Sequence, residues 1–174
     1  MNLIWPECRA TGFLVGQNMI AISSAQNNAS TSRKDTEAHC VWYGECNVTP
    51  TGLTQYCPYD GPAKILTNTT ALDSLSKWCP HLVPAPGQSL AACCDAAQVA
   101  TFAKSIQLAA NFLKRCPSCM MNLARHLCDL TCGVDQTNFM DIVETKNNSK
   151  GQEYITAIDL YITNDYLNGT WRWI

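Results

Sequence analysis

Ten of the 11 cysteines in this 174-residue chain fall between Cys40 and Cys132, at spacings that offer three kinds of sulfur chemistry. A CxxC at Cys116 and Cys119 is the spacing of a thiol–disulfide exchange centre, cysteines with histidines can hold zinc, and a dense set can close as structural disulfides. Zinc lacks support, because there is one CxxC and His39, His81 and His126 form no H-x3–5-H pair. Exchange catalysis wants its attacking thiolate at a helix start, whereas the pattern places Cys116 at a helix end. Structural disulfides are the reading that remains, and cysteine at this density belongs outside the reducing cytosol.

The elements that position these residues are partly legible. Phe102, Ile106, Ala109 and Leu113 recur at helical period opposite Lys104, Gln107, Asn111, Lys114 and Arg115, which predicts a helix over 95–115. Asp95 and Gln98 are spaced as a capping box at its start, and Pro117 ends it. A second helix is predicted over 118–132, with Met120, Leu123, Leu127 and Leu130 on one face. Cys128 and Cys132 lie one turn apart on it, with Cys79 and the Cys93-Cys94 pair as candidate partners. The stretch from Cys40 to Gly87 reads as irregular, with a helical look only over 70–78, and 153–161 fits either a strand or a short helix.

Composition narrows the function. With 47% apolar residues, 15% charged residues and a net charge of −2, the chain can bury one core but has no basic field for nucleic acid. No GxSxG, HExxH, P-loop or paired-carboxylate arrangement supports an enzyme, and no metal or cofactor motif is present. N-x-S/T triplets at Asn28, Asn47, Asn68, Asn147 and Asn168 suit a secretory route. Residues 1–39 read as an atypical N-terminal segment. They form a poor signal peptide, split by Gln17-Asn18, followed by a polar linker, and no run approaches a membrane span. What remains is binding. The loop Cys40-Val41-Trp42-Tyr43-Gly44-Glu45-Cys46 lies beside a helix edge carrying Gln98, Thr101 and Ser105 among Phe102, Leu108 and Phe112, which suits an apolar pocket with a polar end. Each of these residues also has a plainer role open to it: Trp42 as core, Gln98 as no more than half of a capping box.

CVWYGEC from Cys40, CCD from Cys93 followed by Gln98, and FLKRCPSCMMNLARHLCDLTC from Phe112 closely resemble the N-terminal luminal domain of the Niemann-Pick type C intracellular cholesterol transporter family, which includes an intestinal sterol-uptake relative. The resemblance implies an α+β, disulfide-rich fold, a helical core with a small mixed β-sheet, over residues 40–174. It implies a sterol-binding module that holds cholesterol with its 3β-hydroxyl end inward, with Trp42, Glu45, Gln98, Thr101, Phe102, Ser105, Met120, Leu127 and Leu130 as sterol-binding positions. It also implies disulfides Cys40–Cys93, Cys46–Cys57, Cys79–Cys128 and Cys94–Cys132, leaving Cys8, Cys116 and Cys119 unpaired. The implied partners are a small soluble luminal sterol carrier and the transporter's own membrane domains, in the late endosome or lysosome or at the cell surface. A secreted cysteine-rich module for another ligand, like the folate- and riboflavin-binding folds, is the alternative.

There are departures. Before Cys57, where the family commonly has an asparagine, this chain has Gln55-Tyr56, and the aromatic wall positions are Met120 and Leu127. The ending Trp171-Arg172-Trp173-Ile174 leaves the family pattern near Thr170, so the expectation is a truncated form with an incomplete sheet and pocket and weak or no sterol binding.

Overall fold

The computed structural model describes residues 38–162. The expectations for residues 1–37, Cys8, Asn28, Asn168 and the Trp171-Arg172-Trp173-Ile174 ending lie outside them. Strand β1 (Cys40–Val48) pairs antiparallel with β2 (Thr54–Gly61), and two short strands, β3 (Lys64–Ile65) and β4 (Ala91–Ala92), flank helix α1 (Thr69–Trp78) in the chain. Helices α2 (Ala96–Leu113) and α3 (Pro117–Cys132) follow, then a 3-10 turn (Gln136–Asn138) and the hairpin β5 (Met140–Asn147) with β6 (Glu153–Leu160). The fold is α+β and disulfide-rich, and among the described residues its strands form separate two-stranded antiparallel ladders where a small mixed sheet was expected.

Helix α2 begins where the sequence predicts, because the Asp95 carboxylate accepts from Gln98 N at 2.8 Å while the Gln98 side chain reaches back to Asp95 N at 3.0 Å. Val99, Phe102 and Ile106 are its buried stripe. On α3 the deeply buried residues are Ala124, Cys128, Thr131 and Cys132, while Met120, Leu127 and Leu130 sit half-buried beside them. Both strands of the β1–β2 hairpin were illegible in sequence: CVWYGECNV and TQYCPYDG lack clean alternation, and the ladder is interrupted by register shifts.

Disulfides join Cys40–Cys93, Cys46–Cys57, Cys79–Cys128 and Cys94–Cys132, the same pairs the resemblance implies. The adjacent Cys93 and Cys94 thus bind the start of β1 and the end of α3 at one knot, which Cys93 N reinforces by donating to Cys132 O at 3.1 Å. A fifth disulfide corrects the expectation of leftover thiols, for Cys116 and Cys119 are joined to each other. Cys116 caps α3 and Cys119 lies in its first turn, so the CxxC spacing brings the two sulfurs together without help from the rest of the fold.

Candidate functional site

Strand β1 and the first turns of α2 meet at Gly44. Its φ of +86° falls in the left-handed region, where a register shift between Trp42 and Glu45 puts an extra residue into β1. That bulge turns the Gly44 N–H toward α2, where Gln98 Oε1 accepts it at 2.6 Å. Gln98 therefore does more than close the capping box: it pins strand to helix, and it is 0% exposed. Both described hydrogen bonds fall on its oxygen, so the buried Nε2 is left without a partner among the described residues. One turn along, Thr101 Oγ1 donates to Glu45 Oε1 at 2.7 Å, closing a second bridge between β1 and α2.

The remaining expected positions divide. Ser105 is exposed and donates to Thr101 O at 3.1 Å, within its own helix. Phe102 is buried in the helical core, and Met120 and Leu127 pack against that same cluster. Trp42 belongs to a different cluster with Val41, Met140 and Ile155, with Leu130 packed against it. Its indole N–H donates to Thr131 O at 3.2 Å, and its ring meets Tyr56 edge-on at 4.9 Å. The polar residues Glu45, Gln98 and Thr101 are thus brought together, while the apolar ones divide between two clusters. Two open clefts of about 420 and 440 Å3 lie elsewhere, one beside α3 and β6 and one beside His39 and Asp60. Of the expected positions only Leu130 lines either.

Two residues to which sequence reasoning gave no role belong to this region. Tyr56 stands opposite Glu45 in the β1–β2 register, and burial, then the Glu45 and Asp95 carboxylates, pushes its phenol up to about 12. It is therefore a neutral hydroxyl throughout the ordinary pH range. Tyr43 shifts up as well, through burial first and then Asp95 and Tyr59, while Lys64 lies 4.0 and 4.3 Å from the Tyr43 and Tyr59 ring centres. The preceding Gln55 is committed, because its Oε1 accepts from Asn47 Nδ2 at 2.6 Å. The second residue is Gln136, 0% exposed, whose Oε1 accepts from Val41 N at 2.9 Å and whose Nε2 donates to Leu130 O at 3.0 Å. No local pattern marks either role: Tyr56 depends on the shifted register of its hairpin, and Gln136 on Val41 far along the chain.

Among the described residues no helix is long and apolar enough to cross a membrane, and no group of histidine, cysteine and carboxylate side chains could hold a metal. Residues 37–172 match the family described as Niemann-Pick C1 N terminus. The chain is 30% identical over 138 residues to NPC intracellular cholesterol transporter 1 of Sus scrofa, a match covering 76% of this chain and 10% of that protein. It is 30% identical over 139 residues to homolog 1b of that transporter in Drosophila melanogaster, covering 77% and 11%. To the human NPC1-like intracellular cholesterol transporter 1 it is 29% identical over 121 residues, covering 66% and 9%. The matched region thus spans about a tenth of the length of these relatives.

Proposed function

This chain belongs to the Niemann-Pick C1 N-terminus family, and from that premise we propose that it is a luminal sterol-handling module that receives the 3β-hydroxyl end of a sterol at the head of α2. The observation that carries this reading is the buried Nε2 of Gln98, a donor with no partner among the described residues. A buried amide left unsatisfied costs about 1–3 kcal/mol, and a ligand oxygen that accepts from it recovers much of that. A sterol hydroxyl fits, because it accepts from Gln98 and can donate its own O–H to the Glu45 carboxylate. That carboxylate receives Thr101 at one oxygen and has further lone pairs to offer.

The sterol body needs an apolar wall. Thr101, Ser105, Leu108 and Phe112 follow one another along a single stripe of α2, about 16 Å long at 1.5 Å per residue. Leu108 and Phe112 are 60% and 61% exposed, so this wall is an open edge and not an enclosed pocket. Burying roughly 400 Å2 of sterol surface is worth on the order of 10 kcal/mol before ordering costs, against about 1 kcal/mol for one hydroxyl hydrogen bond. The wall sets affinity and the polar end sets orientation, and an open wall makes for weak binding by this chain. Such an edge suits passage of sterol from a small soluble luminal carrier toward the membrane domains of a longer transporter, in the endosomal lumen or at the cell surface. No cofactor and no catalytic step is implied.

A photoactivatable cholesterol analogue tests the reading. Labelling is expected on α2 between Gln98 and Phe112, competed by 3β-hydroxysterols but not by 3-keto analogues, and lost in folded Gln98→Leu. Labelling that survives Gln98→Leu, or that 3-keto analogues compete equally, would overturn it.

A further inference from the structure

We propose that the folded domain carries N-linked glycans at Asn68 and Asn147 and none at Asn47, although all three head an N-x-S/T triplet. The inference requires only that the chain folds with its disulfides in an oxidising lumen; sterol handling does not enter. Glycan transfer uses the asparagine Nδ2 and the hydroxyl two residues on, and the finished domain must leave the bulky sugar in solvent.

At Asn47 both groups are built into the β1–β2 hairpin. Asn47 is half-buried, and its Nδ2 donates to Gln55 Oε1 at 2.6 Å across the strand pair. The hydroxyl of its triplet, Thr49 Oγ1, accepts from Leu53 N at 2.9 Å and meets Thr51 Oγ1 at 2.9 Å. The neighbouring Cys46 is locked to Cys57, and its carbonyl accepts from Asn148 Nδ2 at 2.7 Å, which brings the tip of the β5–β6 hairpin against this segment. A sugar on Asn47 has to displace these contacts.

Asn68 is the reverse case. It is exposed at the N-cap of α1, and among the described residues the side-chain atom the fold uses is its oxygen, which accepts from Ala71 N at 2.9 Å. Glycosylation leaves that oxygen in place, so the cap and the sugar are compatible, and Thr70 beside it is exposed. At the β5–β6 tip two adjacent asparagines divide the work. Asn148 holds the turn, its Oδ1 accepting from Lys150 N at 2.9 Å and Gln152 N at 3.0 Å. Asn147, which heads the triplet, is exposed, as is Ser149. The residue that glycan transfer requires is the one the turn does not.

The test is to express the whole chain in animal cells behind a secretion signal and collect the disulfide-bonded protein, secreted or retained. It is then deglycosylated enzymatically in heavy-oxygen water, and its peptides are mapped. Heavy-oxygen conversion is expected at positions 68 and 147 and not at 47. Asn68→Asp, which preserves a cap of equal quality, and Ser149→Ala, which leaves Asn147 itself in place, are each expected to remove one gel-mobility step, and Asn47→Gln none. Occupancy at Asn47 matching the other two, or a bare Asn68 or Asn147 in the disulfide-bonded protein, overturns the assignment.

Discussion

Two buried glutamines grip strand β1, one at its start and one at its middle, and they differ in what is left over. Gln136 holds the start of β1, accepting from Val41 N at 2.9 Å and Trp42 N at 3.4 Å while donating to Leu130 O at 3.0 Å and Thr131 O at 3.3 Å. Gln98 holds the Gly44 bulge with its oxygen alone, and its amide nitrogen has no partner among the described residues. Both are 0% exposed, so burial does not separate them. Residual hydrogen-bonding capacity does: a polar group whose capacity the fold has used is a structural pin, whereas one with a spare buried donor is where a ligand can add something.

That contrast can be strained first at the covalent knot both regions rely on. Replacing Cys94 and Cys132 with serine opens a 38-residue loop and is expected to cost about 4 kcal/mol in urea unfolding. Removing Cys116 and Cys119 the same way opens a loop of only 3 residues, so less than about 2 kcal/mol is expected. Gln136→Leu is next, at about 3 kcal/mol, since it strips partners from both β1 and the end of α3. A loss under about 1 kcal/mol would show that Gln136 is not the pin described. Gln98→Leu is expected to cost less, about 2 kcal/mol, because only two accepted bonds go, yet to abolish sterol labelling that folded Gln136→Leu retains. Equal stability losses at the two sites, or equal loss of labelling, would erase the distinction. Gly44→Ala strains a left-handed residue for about 1 kcal/mol, while the added methyl meets Asp95 Oδ2 at 3.5 Å and Cys57 Sγ at 3.6 Å, so the bulge shifts without collapse.

The smallest effect at neutral pH belongs to Tyr56, whose phenol is pushed from 10.0 to about 12. Below pH 10 the folded and unfolded chains both keep the proton, so stability does not change through this group. Between pH 10 and about 12 the unfolded chain releases it and the folded chain does not, and stability falls. A tyrosinate absorbance titration is expected to show one late group in the native protein that is missing in Tyr56→Phe and in urea.

The helical half was the legible half. Asp95 and Gln98 announce the start of α2 within four residues, Pro117 announces the break before α3, and the period of Phe102 and Ile106 marks the buried face, because each signal is local. The β1–β2 hairpin was not, since its register shifts and the Gly44 bulge break the alternation that marks a strand. The candidate site was half legible: Glu45, Gln98 and Thr101 meet as a group, whereas Met120 and Leu127 pack on the helical core and Trp42 on another cluster. Whether an apolar side chain becomes wall or core depends on which element covers it, and that information does not lie in its neighbours in sequence.

By itself the sequence determined a disulfide-rich domain with the start and buried face of α2, because cysteine density, caps and helical period are properties of short segments. It also carried the family in words such as CVWYGEC. Only the tertiary structure decided that Gln136 is fully engaged and that Gln98 keeps a buried donor. Hydrogen-bond satisfaction is a sum over partners from the whole chain, such as Gly44 and Asp95 for Gln98 or Val41 and Leu130 for Gln136, and it acquires a value only once the chain has closed on itself.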